Sequence, residues 1–165
     1  MVSIEVVERS DNGITLVLKG VPLEYVNAIR RAALEDVPTM AIDHVVFYDN
    51  TTALSDEIIA HRLAMIPFKS ETALERYRAP EECGTPSPPD ECYTSLYLEA
   101  ETGPQEELVV YSRDLRPQED PEVVPVYGDI PILKMGPNQR VILEARARLG
   151  RGREHTKGSP ATASV

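Results

Sequence analysis

Hydrophobic and polar positions alternate twice near the start of the chain. Residues 2–8 (VSIEVVE) and 14–19 (ITLVLK) are β-branched runs on either side of Asp11-Asn12-Gly13. Asn-Gly supplies the positive φ of a tight turn, so a β-hairpin is expected. The period then changes. In VPLEYVNAIRRAALED, Pro22 takes a first helical position, and Leu23, Val26, Ile29 and Ala33 share one face. That spacing predicts an amphipathic helix ending near Asp36, with its apolar stripe packed on the hairpin. Pro38 stops the helix and TMAIDHVVFYDN alternates as a strand does, so the opening reads β-β-α-β.

Ser55 followed by Asp56 and Glu57 reads as a helix cap with two acids in the first turn, and Ile58, Ile59 and Leu63 supply an apolar stripe. A short helix over 56–64 follows, ended by Pro67. From Glu71 to Asp90 the composition shifts to Pro, Glu and Ser, and TPSPPDE sustains neither helix nor central strand, which predicts a surface loop. CYTSLYLEAE and ELVVYS read as strands separated by Thr102-Gly103-Pro104. QRVILEARARL places Val141, Leu143, Ala145, Ala147 and Leu149 on one buried face. The predicted class is α+β, with a mostly antiparallel β middle.

A chain of 165 residues accommodates one or two small domains, and 42% hydrophobic with 27% charged residues is ordinary globular composition. The net charge of −10 disfavours nucleic-acid binding by the surface as a whole. The charge is uneven, because residues 140–157 carry six basic side chains (Arg140, Arg146, Arg148, Arg151, Arg153, Lys157) against two acids. Without interleaved aromatics this stretch reads as solvated or protein-facing charge rather than a nucleic-acid stripe. No signal-peptide pattern opens the chain and no run approaches the roughly 18 apolar residues of a membrane span, so a cytoplasmic location away from membranes is expected.

Three candidate constellations stand out. Asn27, Arg30 and Arg31 lie on or near the face opposite the apolar stripe of the first helix, and alone the arginine pair reads as a solvated face. Asp56, Glu57, His61 and Arg62 form DEIIAHR, in which Glu57 and His61 could serve as an acid/base pair or half a metal site. This is not the HExxH zinc pattern, and the neighbouring charges favour a salt-bridged surface over a hydrolase. Cys83 and Cys92 fall short of the four ligands of a closed zinc site, so no metal is expected. They remain either a disulfide, as a hyperthermophile's cytosol allows, or two free thiols.

The run NAIRRAALEDVPTMAIDHVVFYDNTTALSDEIIAHRLAMIPF, with the later elements GDIPI, LEARARLG and GREHxKxSP, resembles the RNA polymerase D subunit family. That family includes the eukaryotic third-largest subunits and, more distantly, the amino-terminal domain of bacterial alpha. The resemblance implies a discontinuous α/β dimerisation domain, here 1–45 and 150–165, interrupted by a mostly antiparallel β insert domain over 46–149. It also implies that the C-terminal part of the family fold is missing.

The implied role is a non-catalytic assembly scaffold that pairs with a small L-type subunit and meets small N- and P-type subunits and the large catalytic subunits. DNA would then be reached only through the complex. Asn27, Arg30 and Arg31 match the assembly helix, while Asp56, Glu57, His61, Arg62, Arg146 and Arg148 are further interface candidates. Cys83 and Cys92 stand where eukaryotic relatives carry a four-cysteine zinc loop. The iron–sulfur cluster of some relatives would need downstream cysteines absent here, so no cofactor is expected. The rival reading is a free-standing acidic module that binds proteins.

Overall fold

The structure, a computed structural model, describes residues 2–83 and 90–165. Strands β1 (Ser3–Ser10) and β2 (Gly13–Lys19) form the N-terminal hairpin, with Ser10 opposite Gly13. The turn differs from expectation in one respect. Among the described residues positive φ occurs only at Asn138 and Gly20, so Asp11-Asn12-Gly13 closes without it. The Ser10 hydroxyl donates to the Gly13 carbonyl at 3.3 Å, and a register shift between Val6 and Glu8 supplies local twist.

Helix α1 (Leu23–Glu35) has Pro22 as its N-cap, just outside the first helical position expected for it, and Asp36 closes the helix by donating its N–H to the Ala32 carbonyl at 3.0 Å. The expectation that its stripe packs on the hairpin is corrected. No α1 residue is buried, Leu23 is 63% and Ile29 60% exposed, and every β1 side chain is exposed. Helical spacing shows that an apolar face exists but does not say what covers it.

Strand β3 (Thr39–Asn50) begins the core. Helix α2 (Asp56–Ala64) follows with the expected bounds and buries Ile59 and Leu63, whereas Ile58 points outward. The stretch read as a loop contains two short helical turns, α3 (Ala73–Arg76) and α4 (Pro80–Cys83), anchored by buried Ala73, Pro80 and Cys83. The rest of that predicted loop, 84–89, lies outside the described residues.

The chain continues through β4 (Tyr93–Glu101), β5 (Leu108–Tyr111), β6 (Arg116–Pro117), β7 (Pro131–Met135) and β8 (Arg140–Gly150). The main sheet has the order β3-β8-β4-β6, and β5 pairs with β7. Pairing is antiparallel throughout.

Strand β8 is central: Leu143 lies opposite Phe47 of β3 and Leu98 of β4. Its alternating face Val141, Leu143, Ala145, Ala147 and Leu149 is buried, as the sequence period predicts. Ile59 and Leu63 of α2, with Val110 of β5 and Ile132 and Met135 of β7, complete the same core. Each large side chain so buried contributes about 1.5–3 kcal/mol relative to exposure.

After β8 the tail turns through 150–158 and returns to α1. The Arg153 N–H donates to the Glu35 carbonyl at 3.3 Å. Gly158 permits the tight turn, since a Cβ there would sit 2.8 Å from the Arg151 backbone.

Candidate subunit interface

On α1, Asn27 and Arg30 are half-buried, while Arg31 is exposed and pairs with Glu35 one turn on, at 3.5 Å. Such an i,i+4 pair supports the helix by a few tenths of a kcal/mol. The arginine therefore keeps most of its capacity for other contacts.

The second cluster is organised by the turn before α2. Asn50 donates to the Leu54 carbonyl at 3.0 Å and to the Asp56 carboxylate at 2.7 Å, which ties Asp56 to the end of β3. A hydrogen bond from its own backbone N–H, joined by one from Ser55, holds the Glu57 carboxyl below its ordinary value. Arg62 reaches across to β7, donating to the Pro131 carbonyl at 2.8 Å. Glu57 and His61 are both exposed, and the hollow lined by Asn50, Ser55, Asp56 and Glu57 does not include His61. A larger groove of about 400 Å³, lined by Met65, Phe68, Leu74 and Val126, includes neither. Nothing in this geometry sequesters an acid/base pair from water.

The third cluster lies on the outer side of the sheet. Arg146 donates to Glu144 at 3.1 Å, and Glu144 also accepts from Ser95 and Tyr48, each at 2.9 Å. The Ser95 bond, followed by those from Tyr48 and Arg146, lowers the Glu144 pKa.

Arg148 is more enclosed. It donates to Asp43 at 2.8 Å and to Glu154 at 3.4 Å, and Lys157 meets the other Asp43 oxygen at 2.5 Å. Burial works to raise the Asp43 carboxyl, but the hydrogen bonds from Lys157 and Arg148 outweigh it and hold the group below its ordinary value.

Sequence reading did not single out Asp43. Its partners lie 105 and 114 residues away, so only the β3–β8 register and the returning tail bring them together.

Each of the six basic residues between 140 and 157 has a carboxylate partner. Arg140 faces Glu99 at 3.3 Å, Arg151 faces Glu81 at 2.8 Å and Arg153 meets Asp36, besides the three pairs above. The stretch is therefore neutralised locally, and a phosphate backbone would have to displace these partners.

The Sγ atoms of Cys83 and Cys92 are joined, with Cα atoms 5.8 Å apart. Among the described residues no group of three or more His, Cys, Asp or Glu side chains is placed to hold a metal ion. No helix among them is long and apolar enough to cross a membrane.

The nine candidate residues thus form three separate patches, one on α1, one on α2 and one on β8, rather than a single pocket. Such a distribution suits contact with several surfaces better than binding of one small ligand.

Comparison with known proteins points the same way. The family model described as "RNA polymerase Rpb3/RpoA insert domain" matches residues 40–164. DNA-directed RNA polymerase subunit Rpo3 of Aeropyrum pernix is 48% identical over 166 residues, covering 99% of this chain and 58% of the relative. The Rpo3 of Pyrococcus horikoshii is 46% identical, covering 97% of this chain and 57% of the relative. That of Methanothermobacter thermautotrophicus is 43% identical, covering 94% and 58%. The chain spans a little under three fifths of the length of these relatives.

Proposed function

The chain belongs to the RNA polymerase Rpb3/RpoA family, in its archaeal Rpo3 or D-subunit branch, and from that premise we propose that it is a non-catalytic assembly scaffold of a DNA-directed RNA polymerase. It pairs with a small L-type subunit through the hairpin and α1, and its other patches meet the small N- and P-type and large catalytic subunits. DNA is engaged only by the assembled complex. Residues 1–45 and 150–165 act as one discontinuous dimerisation unit around the β insert.

The observation that carries this reading is the contrast between two halves of one molecule. Every residue of the buried hydrophobic cluster lies at Met40 or beyond, although side chains such as Val46, Ile58 and Met65 stay exposed there too. Before it, Ile4, Val6, Val7, Ile14, Leu23 and Ile29 are all exposed. Exposed apolar side chains in this number, on a hairpin and helix that bury none of their own, point to an association site, because leaving them in water forgoes burial worth roughly 25 cal/mol per Å². The return of the tail to Glu35 and Asp36 supports a unit built from both ends of the sequence.

Placing charges on that surface tests the reading. Val6→Glu combined with Ile29→Glu should abolish co-purification with an L-type subunit. Thermal unfolding of the chain alone should change little, because neither side chain is buried. Undiminished co-purification would refute the assignment of this surface.

A further inference from the structure

We propose that the Cys83–Cys92 disulfide is a positioning staple for helix α1, acting through Glu81 and Arg151. Its bearing on assembly rests on the reading of α1 as an interface helix, whereas the coupling itself is a property of this chain.

The path can be followed atom by atom. Cys92 leads directly into β4, and Cys83 ends α4. Both residues are buried, at 1% and 4% exposure, so the bond pins α4 to the main sheet from the inside. On α4, Glu81 places a carboxylate oxygen 2.8 Å from Arg151 Nε, an ion pair by distance whose angle falls short of a hydrogen bond. The same guanidinium donates through Nη1 to the carbonyl of Asp36, the residue that caps α1.

Two residues on, Arg153 meets the Asp36 carboxylate and donates its backbone N–H to the Glu35 carbonyl. The last carbonyls of a helix lack intrahelical donors, and here the tail supplies them. Gly152 lies between the two arginines where a Cβ would run into the Leu34 carbonyl, so the tail and α1 meet backbone to backbone.

Because no side chain of α1 is buried, its orientation depends on how firmly this C-terminal turn is held. Arg78 pairs with Glu91 and Glu82 beside the two cysteines, but those bonds do not reach α1.

Opening the staple is ordinary thiol–disulfide exchange. Dithiothreitol attacks one sulfur, and the exchange ends with two cysteine thiols and the cyclic oxidised reagent, two electrons and two protons having passed to the protein. α4 then loses its covalent tie to β4, and Glu81 is no longer presented to Arg151. The Glu81–Arg151 pair is partly exposed and weak alone, so its loss loosens α1 by a few-fold rather than unfolding it.

The test is amide hydrogen exchange on the intact chain, oxidised and after reduction by dithiothreitol, with Cys92→Ser as a reduced form that does not depend on reagent access. Exchange at Leu34, Glu35, Asp36 and Arg153 should rise about two- to five-fold in both reduced forms. Exchange at Leu143 and Ala145 in β8 should stay unchanged. Glu81→Gln should show the raised rate already and respond no further to reduction.

Unchanged exchange at the end of α1 would overturn the proposal. So would a rise shared equally by β8, or a Glu81→Gln variant that responds to reduction as the parent does. The experiment needs no partner subunit, so its failure is distinguishable from failure of the scaffold reading.

Discussion

Leu143→Ala should destabilise the fold by about 3–4 kcal/mol, because the residue sits at the centre of the sheet with no route for collapse. Leu143 is fully buried, with Phe47 on one flanking strand and Leu98 on the other. The substitution removes three carbons, worth about 0.8 kcal/mol each in transfer free energy, and the unfilled cavity adds roughly another 1 kcal/mol. Ile142, its neighbour on the opposite face, lies between Asp49 and Glu99 and is only half-buried. Ile142→Ala should therefore cost less than about 1.5 kcal/mol.

Urea unfolding followed by circular dichroism measures both variants. With a slope of about 1–3 kcal/mol per molar, Leu143→Ala should lower the midpoint by about 1–4 M without changing the slope. Equal costs for the two variants, or a larger cost for Ile142→Ala, would mean that the register of β8 is wrong by one residue.

Asp43→Asn should cost about 1–3 kcal/mol near neutral pH, since it leaves Arg148 and Lys157 without the carboxylate they share in a site only 15% exposed. Because the folded-state pKa of Asp43 is depressed, its contribution is present above the ordinary value of 3.8 and is lost as pH falls below it towards the folded value. An acid titration of stability should accordingly be shallower in the Asn variant, and an unchanged acid limb would contradict the account of this cluster. Replacing Arg30 and Arg31 together by Ala should weaken pull-down of the large subunits while shifting the stability of the isolated chain by less than about 1 kcal/mol. Normal pull-down with an unchanged melt would reduce the pair to a solvated face.

The β-branched alternation around Asn12-Gly13, the uninterrupted strand Thr39–Asn50 and the helix Asp56–Ala64 could all be read locally, because each has both its period and its stop signal in the sequence, although the Ser55 side chain expected to cap that helix makes no capping hydrogen bond. Two strands could not. Arg116–Pro117 is only two residues long, and Pro131–Met135 begins with the residue that normally argues against a strand. The stretch read as a loop from Glu71 hides two short turns, held by tertiary burial of Ala73 and Pro80 rather than by local propensity.

Of the candidate site, the arginines of β8 were visible by alternation. Their partners were not, since Asp43 reaches Arg148 and Lys157 only through long-range pairing. Likewise, the amphipathic face of α1 is legible in its spacing, whereas its exposure depends on what else the molecule binds.

Co-expression with a small L-type RNA polymerase subunit tests the central claim most directly. The protein should co-elute with that subunit as a one-to-one complex in size-exclusion chromatography, with the hairpin and α1 protected from hydrogen exchange only in the complex. Separate elution, with Val6, Leu23 and Ile29 equally exposed in the presence and absence of the subunit, would contradict the scaffold assignment.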